Sequence, residues 1–128
     1  MASSETKFVG TATDDSTVGT VAWTDTGNVT ADDGVVARTD DIVGDGTETH
    51  YLKCVNFGFA IPSGEVINGI VMNLEGRKFD LAGARINDNK IRLIKGGTIG
   101  IVDRTGDAWS ASYTVRTHGG VSDLWGET

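Results

Sequence analysis

Two histidines, one cysteine and many aspartates are the residues of this 128-residue chain from which chemistry could be built. A nucleophile–base arrangement needs a His beside a Ser or Cys. His50 stands just before Tyr51-Leu52-Lys53-Cys54-Val55 and reads as a strand-edge residue. His118 precedes Gly119-Gly120 and reads as a turn residue, and no G-x-S-x-G elbow accompanies either. Cys54 lies inside an apolar run, where a free thiol acts as a small buried hydrophobe. As the sole cysteine it forms no intrachain disulfide, which fits assembly in a reducing cytoplasm. Zinc requires clustered Cys and His, which one Cys and two distant His do not supply. Calcium suits carboxylates around a Gly turn, and Asp40, Asp41, Asp45, Gly46 and Glu48 lie close together. Their spacing is not that of an EF-hand, and Asp and Gly are equally ordinary turn formers, so both readings stand. No pair of acids is singled out as facing across a glycosidase cleft. Gly96-Gly97 lacks the Gly-Lys-Ser/Thr continuation of a phosphate loop. The chain is therefore expected to be no enzyme and to use no cofactor.

The elements that would position such residues are short. Gly numbers 18, Pro occurs once and apolar residues make up 38%, a balance suited to many short strands joined by tight turns. No long window repeats apolar residues at i, i+3, i+4 and i+7, so helices are not expected. The net charge of −7 repels phosphate backbones and anionic headgroups, which excludes nucleic acid and membrane as main partners. No apolar run nears the ~18 residues that span a bilayer, and the N-terminus lacks a signal-peptide pattern. Asn28-Val29-Thr30 matches a glycosylation sequon, relevant only to a secreted eukaryotic chain.

Residues 1–9 read as a polar N-terminal arm with Phe8-Val9 as its apolar anchor, and 1–6 as mobile. Residues 10–128 read as one domain. Thr20 to Trp23 and Gly34 to Ala37 look like short strands. Tyr51 to Arg77 reads as strand, turn, strand. Val55, Phe57, Phe59 and Ile61 alternate, Ile61-Pro62-Ser63-Gly64 turns, and Ile70, Met72 and Leu74 share the inner face of the next strand. Ile86 to Asn89 is a polar turn. Lys90 to Lys95 and Thr98 to Val102 are strands, and Gly96-Gly97 between them is a hairpin signal. Trp109, Tyr113 and Val115 supply a last strand, broken at His118-Gly119-Gly120. This spacing indicates an all-β fold, an antiparallel sandwich or barrel. Exposed aromatics among Trp23, Trp109, Tyr113 and Trp125 could stack sugars, although core use is their commoner role.

Two stretches carry a resemblance. Phe57, Phe59, Ile61-Pro62 with Gly64, and Ile67 with Gly69-Ile70 come first. Ile91-Arg92-Leu93 and Asp123-Leu124-Trp125-Gly126 follow in order. Across about 75 residues the set resembles a β-sandwich domain of tailed-bacteriophage structural proteins. The resemblance implies a jelly-roll-like antiparallel β-sandwich and a non-enzymatic virion protein, assembled in the host cytoplasm. Its partners would be capsid or tail proteins of the same virion. The leading expectation is a capsid-surface decoration or cement protein, a homo-oligomer with a trimer favoured. The alternative is a tail-fibre or baseplate module that binds glycans. Partner or glycan contacts would fall on Phe8, Val9, Trp23, Trp109, Tyr113 and Trp125. The family pattern continues past Asp-Leu-Trp-Gly by at least one strand. A further C-terminal segment or a neighbouring chain is therefore expected to complete the last sheet edge.

Overall fold

The two longer strand pairings of this protein join residues far apart in sequence. The computed structural model describes residues 4–39, 47–78, 86–105 and 108–127. Its regular structure is β1 (Thr11–Asp15), one 3-10 turn (Thr26–Thr30), β2 (Tyr51–Val55), β3 (Ile70–Gly76), β4 (Ile94–Lys95), β5 (Thr98–Ile99) and β6 (Thr114–Gly120). The fold is thus nearly all β; among the described residues the strands form three two-stranded antiparallel sheets, β1–β2, β3–β6 and β4–β5. The chain divides into two compact units, Met1–Ser63 and Gly64–Thr128.

In the first unit β1 lies against β2 with Thr11 opposite Val55 and Asp15 opposite Tyr51. The ladder is prolonged by the Gly10 N–H, which donates to the Val55 carbonyl at 3.2 Å. A Cβ at Gly10 would sit 1.8 Å from the Asn56 carbonyl oxygen, so only glycine permits this approach. Further out, the Ala60 N–H donates to the Glu5 carboxylate at 3.2 Å. The N-terminal arm expected to be mobile therefore runs beside residues 55–60 from Glu5 onward. Thr20 to Trp23 forms no strand. Val21 makes a single parallel bridge to Thr49, and Thr24 an antiparallel one to Arg38. Gly34 to Ala37 is irregular, with Val36 accepting from the Asn28 side-chain amide.

The alternating run from Val55 to Ile61 is not a strand. Asn56 and Gly58 take positive φ of 59° and 75°, which ends β2 at Val55. Phe57 and Phe59 stack instead, with centroids 6.0 Å apart and planes at 21°. The turn at Ser63-Gly64 forms, but β2 and β3 are not partners: each pairs with a strand of its own unit.

In the second unit β3 runs antiparallel to β6, with Met72 opposite His118 and Leu74 opposite Arg116. Ile70, Met72 and Leu74 face inward and Val71, Asn73 and Glu75 outward, as the alternation indicates. β6 does not break at His118 but continues through Gly120. Gly96 and Gly97 form the β4–β5 hairpin with φ of 57° and 84°, the positive values a type I′ turn needs. The strands on either side are shorter than their apolar runs, only Ile94–Lys95 and Thr98–Ile99. Among the described residues only Ala12, Trp125 and His118 are buried.

Candidate functional site

The densest side-chain chemistry lies in the second unit. Arg116 and His118, two apart on β6, project to the same face. An antiparallel bridge between Asn87 and Ala108 brings Asp88 beside Trp109. The Trp109 N–H donates to the Ile86 carbonyl at 2.7 Å and fixes that register. A Cβ at Gly76 would meet the Trp109 ring at 2.4 Å, so the glycine at the end of β3 makes room for the indole.

Asp88 is the centre. Its Oδ1 accepts from the Trp109 indole Nε1–H at 2.7 Å and from an Arg116 N–H at 2.9 Å. Its Oδ2 accepts the second Arg116 N–H at 2.5 Å. The Asp88 side chain is 4% exposed and that of Arg116 13%. The guanidinium also lies 4.5 Å from the Trp109 ring centroid, a cation–π contact that covers one indole face. His118 is buried beside the pair. Its Nδ1 stands 2.6 Å from the Arg104 carbonyl, which can only accept, so Nδ1 carries the proton. Nε2 is buried without a hydrogen-bond partner among the described residues, 3.8 Å from Asp88 Oδ2.

Arg104 and Asp123 form a second pair at 2.5 and 2.8 Å, and Asp123 Oδ1 accepts the Trp125 N–H at 2.8 Å. These hydrogen bonds, the Arg104 guanidinium first, draw the Asp123 carboxyl down to a pKa of about 2. Trp125 is 4% exposed, and its Nε1–H donates to the Ile70 carbonyl at 2.9 Å. Ile70 in turn donates its N–H to the Asp123 carbonyl at 2.8 Å. The Asp-Leu-Trp-Gly segment thus clasps the start of β3. Arg92 and Asp103 make a third, bidentate pair at 2.8 and 3.1 Å, and Arg92 holds the Asp103 carboxyl below its ordinary range.

The first unit has a smaller counterpart. Asp14 Oδ1 accepts the Trp23 N–H at 2.8 Å, and Oδ2 lies 2.7 Å from His50 Nδ1. The Trp23 indole N–H donates to the His50 carbonyl at 2.9 Å and closes a triangle. The Trp23 N–H and then His50 hold the Asp14 carboxyl below its usual range. Burial pushes the Cys54 thiol up to about 11, which leaves little thiolate at neutral pH.

The residues singled out as partner or glycan contacts are scattered. Phe8 is 67% exposed and Val9 half-buried. Trp23 and Trp109 are half-buried and engaged as described. Tyr113 is 53% exposed with the Arg77 guanidinium 5.1 Å from its ring centroid. Trp125 is core. Of the acidic cluster, Asp40, Asp41 and Asp45 lie outside the described residues. Glu48 is described, and its carbonyl accepts from the Thr20 and Val21 N–H groups. Among the described residues no three His, Cys, Asp or Glu side chains are grouped to hold a metal. Asp88, Arg104 and Arg116 were not singled out in the sequence. Asp88 stands in a turn-like Asn-Asp-Asn. The one available signal was Arg116 and His118 alternating with Val115 and Thr117 along a strand. No family model matches the chain, and no curated protein or solved structure matches it.

Proposed function

We propose that this protein is a non-enzymatic structural component of a tailed-bacteriophage particle, a capsid-surface decoration protein built on a jelly-roll-like antiparallel sandwich. One observation carries the reading: among the described residues many large apolar side chains are exposed and few are fully buried. Among the described residues twelve large hydrophobics are exposed, whereas the buried apolar residues are only Ala12 and Trp125. Apolar side chains exposed in that number supply contact points for a partner surface. The polar clusters support the same reading, because the Asp88 carboxylate and its neighbours bond to one another and brace the backbone. The resemblance of the Ile-Pro-x-Gly and Asp-Leu-Trp-Gly segments to phage particle domains supplies the biological setting. The mechanism is passive: domains seated at capsomer junctions add contact area against internal pressure. Particles purified from the producing host should contain the protein on the head by immunogold labelling, and particles lacking it should rupture at lower temperature or milder osmotic shock. Its absence from particles, or unchanged robustness without it, refutes the proposal.

One observation favours a tail-fibre or baseplate glycan-binding module as a second reading. The 53% exposed Tyr113 ring offers aromatic surface of the kind on which sugars stack. Glycan-array binding lost in a folded Tyr113→Ala variant supports it; an empty array removes it.

A further inference from the structure

We propose that His118 is a proton-operated link between two ion pairs of the second unit: a proton taken up at Nε2 closes a hydrogen bond to Asp88 and so ties the Asp88–Arg116 pair to the Arg104–Asp123 pair. The proposal is independent of any role in a particle. His118 lies within β6, is 4% exposed and stands against one residue of each pair. Its Nδ1 is 2.6 Å from the Arg104 carbonyl, and its Nε2 is 3.8 Å from Asp88 Oδ2. Both ring nitrogens therefore face an oxygen that only accepts. A neutral imidazole carries one N–H, and the Arg104 carbonyl takes it. Among the described residues Nε2 has no hydrogen-bond partner. Only the imidazolium has a donor for each oxygen. At 3.8 Å the Nε2–Asp88 contact is too long for a hydrogen bond, so the structure shows the link open. His50 has no such gap, because its Nδ1 already lies 2.7 Å from Asp14 Oδ2.

The neighbouring charges set when the link closes. Asp88 faces Nε2 with a side chain only 4% exposed, and Arg116, two residues from His118 on β6, already accompanies it. Beyond Nδ1, the Arg104 guanidinium is bound to Asp123. The sheet neighbour across from His118 is Met72, and the ring beside Gly119 is that of Trp125, so neither brings a charge. With the imidazole neutral, these four charges cancel in pairs. A proton on Nε2 brings a second cation to the Asp88 carboxylate, so closure is driven by acid. A charged N–H···O bond is about 2.8 Å long, so closing it brings the ring and Asp88 together by about 1 Å. Asp88 Oδ1 also holds the Trp109 indole N–H, which therefore reports the movement. The Nδ1 proton stays on the Arg104 carbonyl throughout. In the closed form one imidazolium joins β6, the Asp88 turn and the segment carrying Arg104.

Long-range proton–nitrogen NMR of the imidazole rings in the full chain tests this between pH 8 and 5, the interval in which histidines change charge. The spectrum of His50→Gln assigns the two rings. At pH 8 the His118 proton should sit on Nδ1, and on acidification Nε2 should gain one. The Trp109 indole N–H resonance should shift with the same midpoint as the His118 ring. In His118→Gln that shift should vanish, and in His50→Gln it should persist. Asp88→Asn should weaken proton binding at His118 at least tenfold. The measurement on the unaltered protein decides the matter even if these variants fold poorly. A proton on Nε2 with a bare Nδ1 at pH 8 overturns the proposal, as does a His118 ring that stays neutral down to pH 5. A Trp109 resonance that ignores the His118 titration overturns it too. So does loss of the dispersed spectrum as His118 charges, because protonation would then break the junction rather than close it.

Discussion

Removing the Asp88 carboxylate should be among the costliest single changes in this protein. In Asp88→Ala three N–H groups lose their acceptor: the Trp109 indole and two from Arg116. Each hydrogen bond to a charged group contributes about 1.5–3 kcal/mol, and Asp88's own desolvation offsets much of their sum. What decides the outcome is the partner left behind. The Arg116 side chain is 13% exposed, so its charge stays largely buried after the Asp88 carboxylate is removed. Breaking a buried pair in this way costs about 3–5 kcal/mol. A chain of this length has a total stability of roughly 6–19 kcal/mol, so the loss is a large fraction. Urea unfolding in a Trp23→Phe background reads this directly, since the signal then comes from Trp109 and Trp125 in the second unit. The midpoint should fall by about 2 M for a domain of ordinary urea sensitivity. Asp88→Ala/Arg116→Met should recover part of the loss, because the stranded charge is gone, and the cycle should give a coupling of at least about 1 kcal/mol. A loss under about 1 kcal/mol in Asp88→Ala, or strict additivity in the double variant, refutes the bracing role.

Three further outcomes follow from local geometry. Gly119→Ala should cost about 1–3 kcal/mol from backbone strain alone, and more from overlap. Its φ is 79°, and a Cβ would lie 2.3 Å from the Ile70 carbonyl oxygen and 2.6 Å from the Trp125 indole nitrogen. Gly97→Ala, at φ 84° in open space, bears strain only; equal midpoints for the two variants contradict the clash. Cys54 should react with a disulfide reagent at pH 8 orders of magnitude more slowly than a peptide thiol, because with a pKa of about 11 only about one thiol in a thousand is ionised. Fast labelling of the folded protein excludes the burial argument. Asp123 ionises at about 2 when folded against 3.8 when free. A lowered folded value gives stability that is present above the unfolded pKa and lost as pH falls, here between about pH 4 and 2. Asp123→Asn should flatten that part of the urea-midpoint profile; parallel acid profiles for variant and parent count against the Arg104–Asp123 pair as its source.

What could be read in the sequence was local. The Gly96-Gly97 hairpin forms because two adjacent positive φ values need two glycines. The face of Ile70, Met72 and Leu74 follows from simple alternation. Where alternation misled, two backbone angles were responsible: Val55, Phe57, Phe59 and Ile61 keep the period, but Asn56 and Gly58 turn left-handed and end the strand. β1 was invisible for the opposite reason. Thr11–Asp15 has one apolar side chain, Ala12, and is a strand because β2 pairs with it, not by its own preference. Gly119 and Gly120 looked like a break, yet register with Ile70 and Val71 keeps them in β6. The Asp88 cluster joins residues 21 and 28 positions apart, and no spacing rule connects a turn-like Asp to a strand Arg at that distance.

Polar locks and outward apolar side chains are two halves of one arrangement. Each of the three tryptophans is hydrogen-bonded to an aspartate: Trp23 to Asp14, Trp109 to Asp88, Trp125 to Asp123. Buried ion pairs add little net stability, because desolvation cancels most of their attraction. They do penalise any arrangement that separates the partners, since a stranded buried charge costs several kcal/mol. A domain whose conformation is specified in this way need not spend its Phe, Ile and Val side chains on a core. Those side chains remain outside, where burial against a neighbour returns about 25 cal/mol for each Å² removed from water. Such a chain should hold its backbone conformation alone and gain further stability where a partner surface covers those side chains. Its thermal midpoint should therefore rise in the presence of particles stripped of this protein, as binding linkage requires. A midpoint unchanged by such particles would mean that the outward apolar side chains meet no partner there, and that their exposure has no binding role.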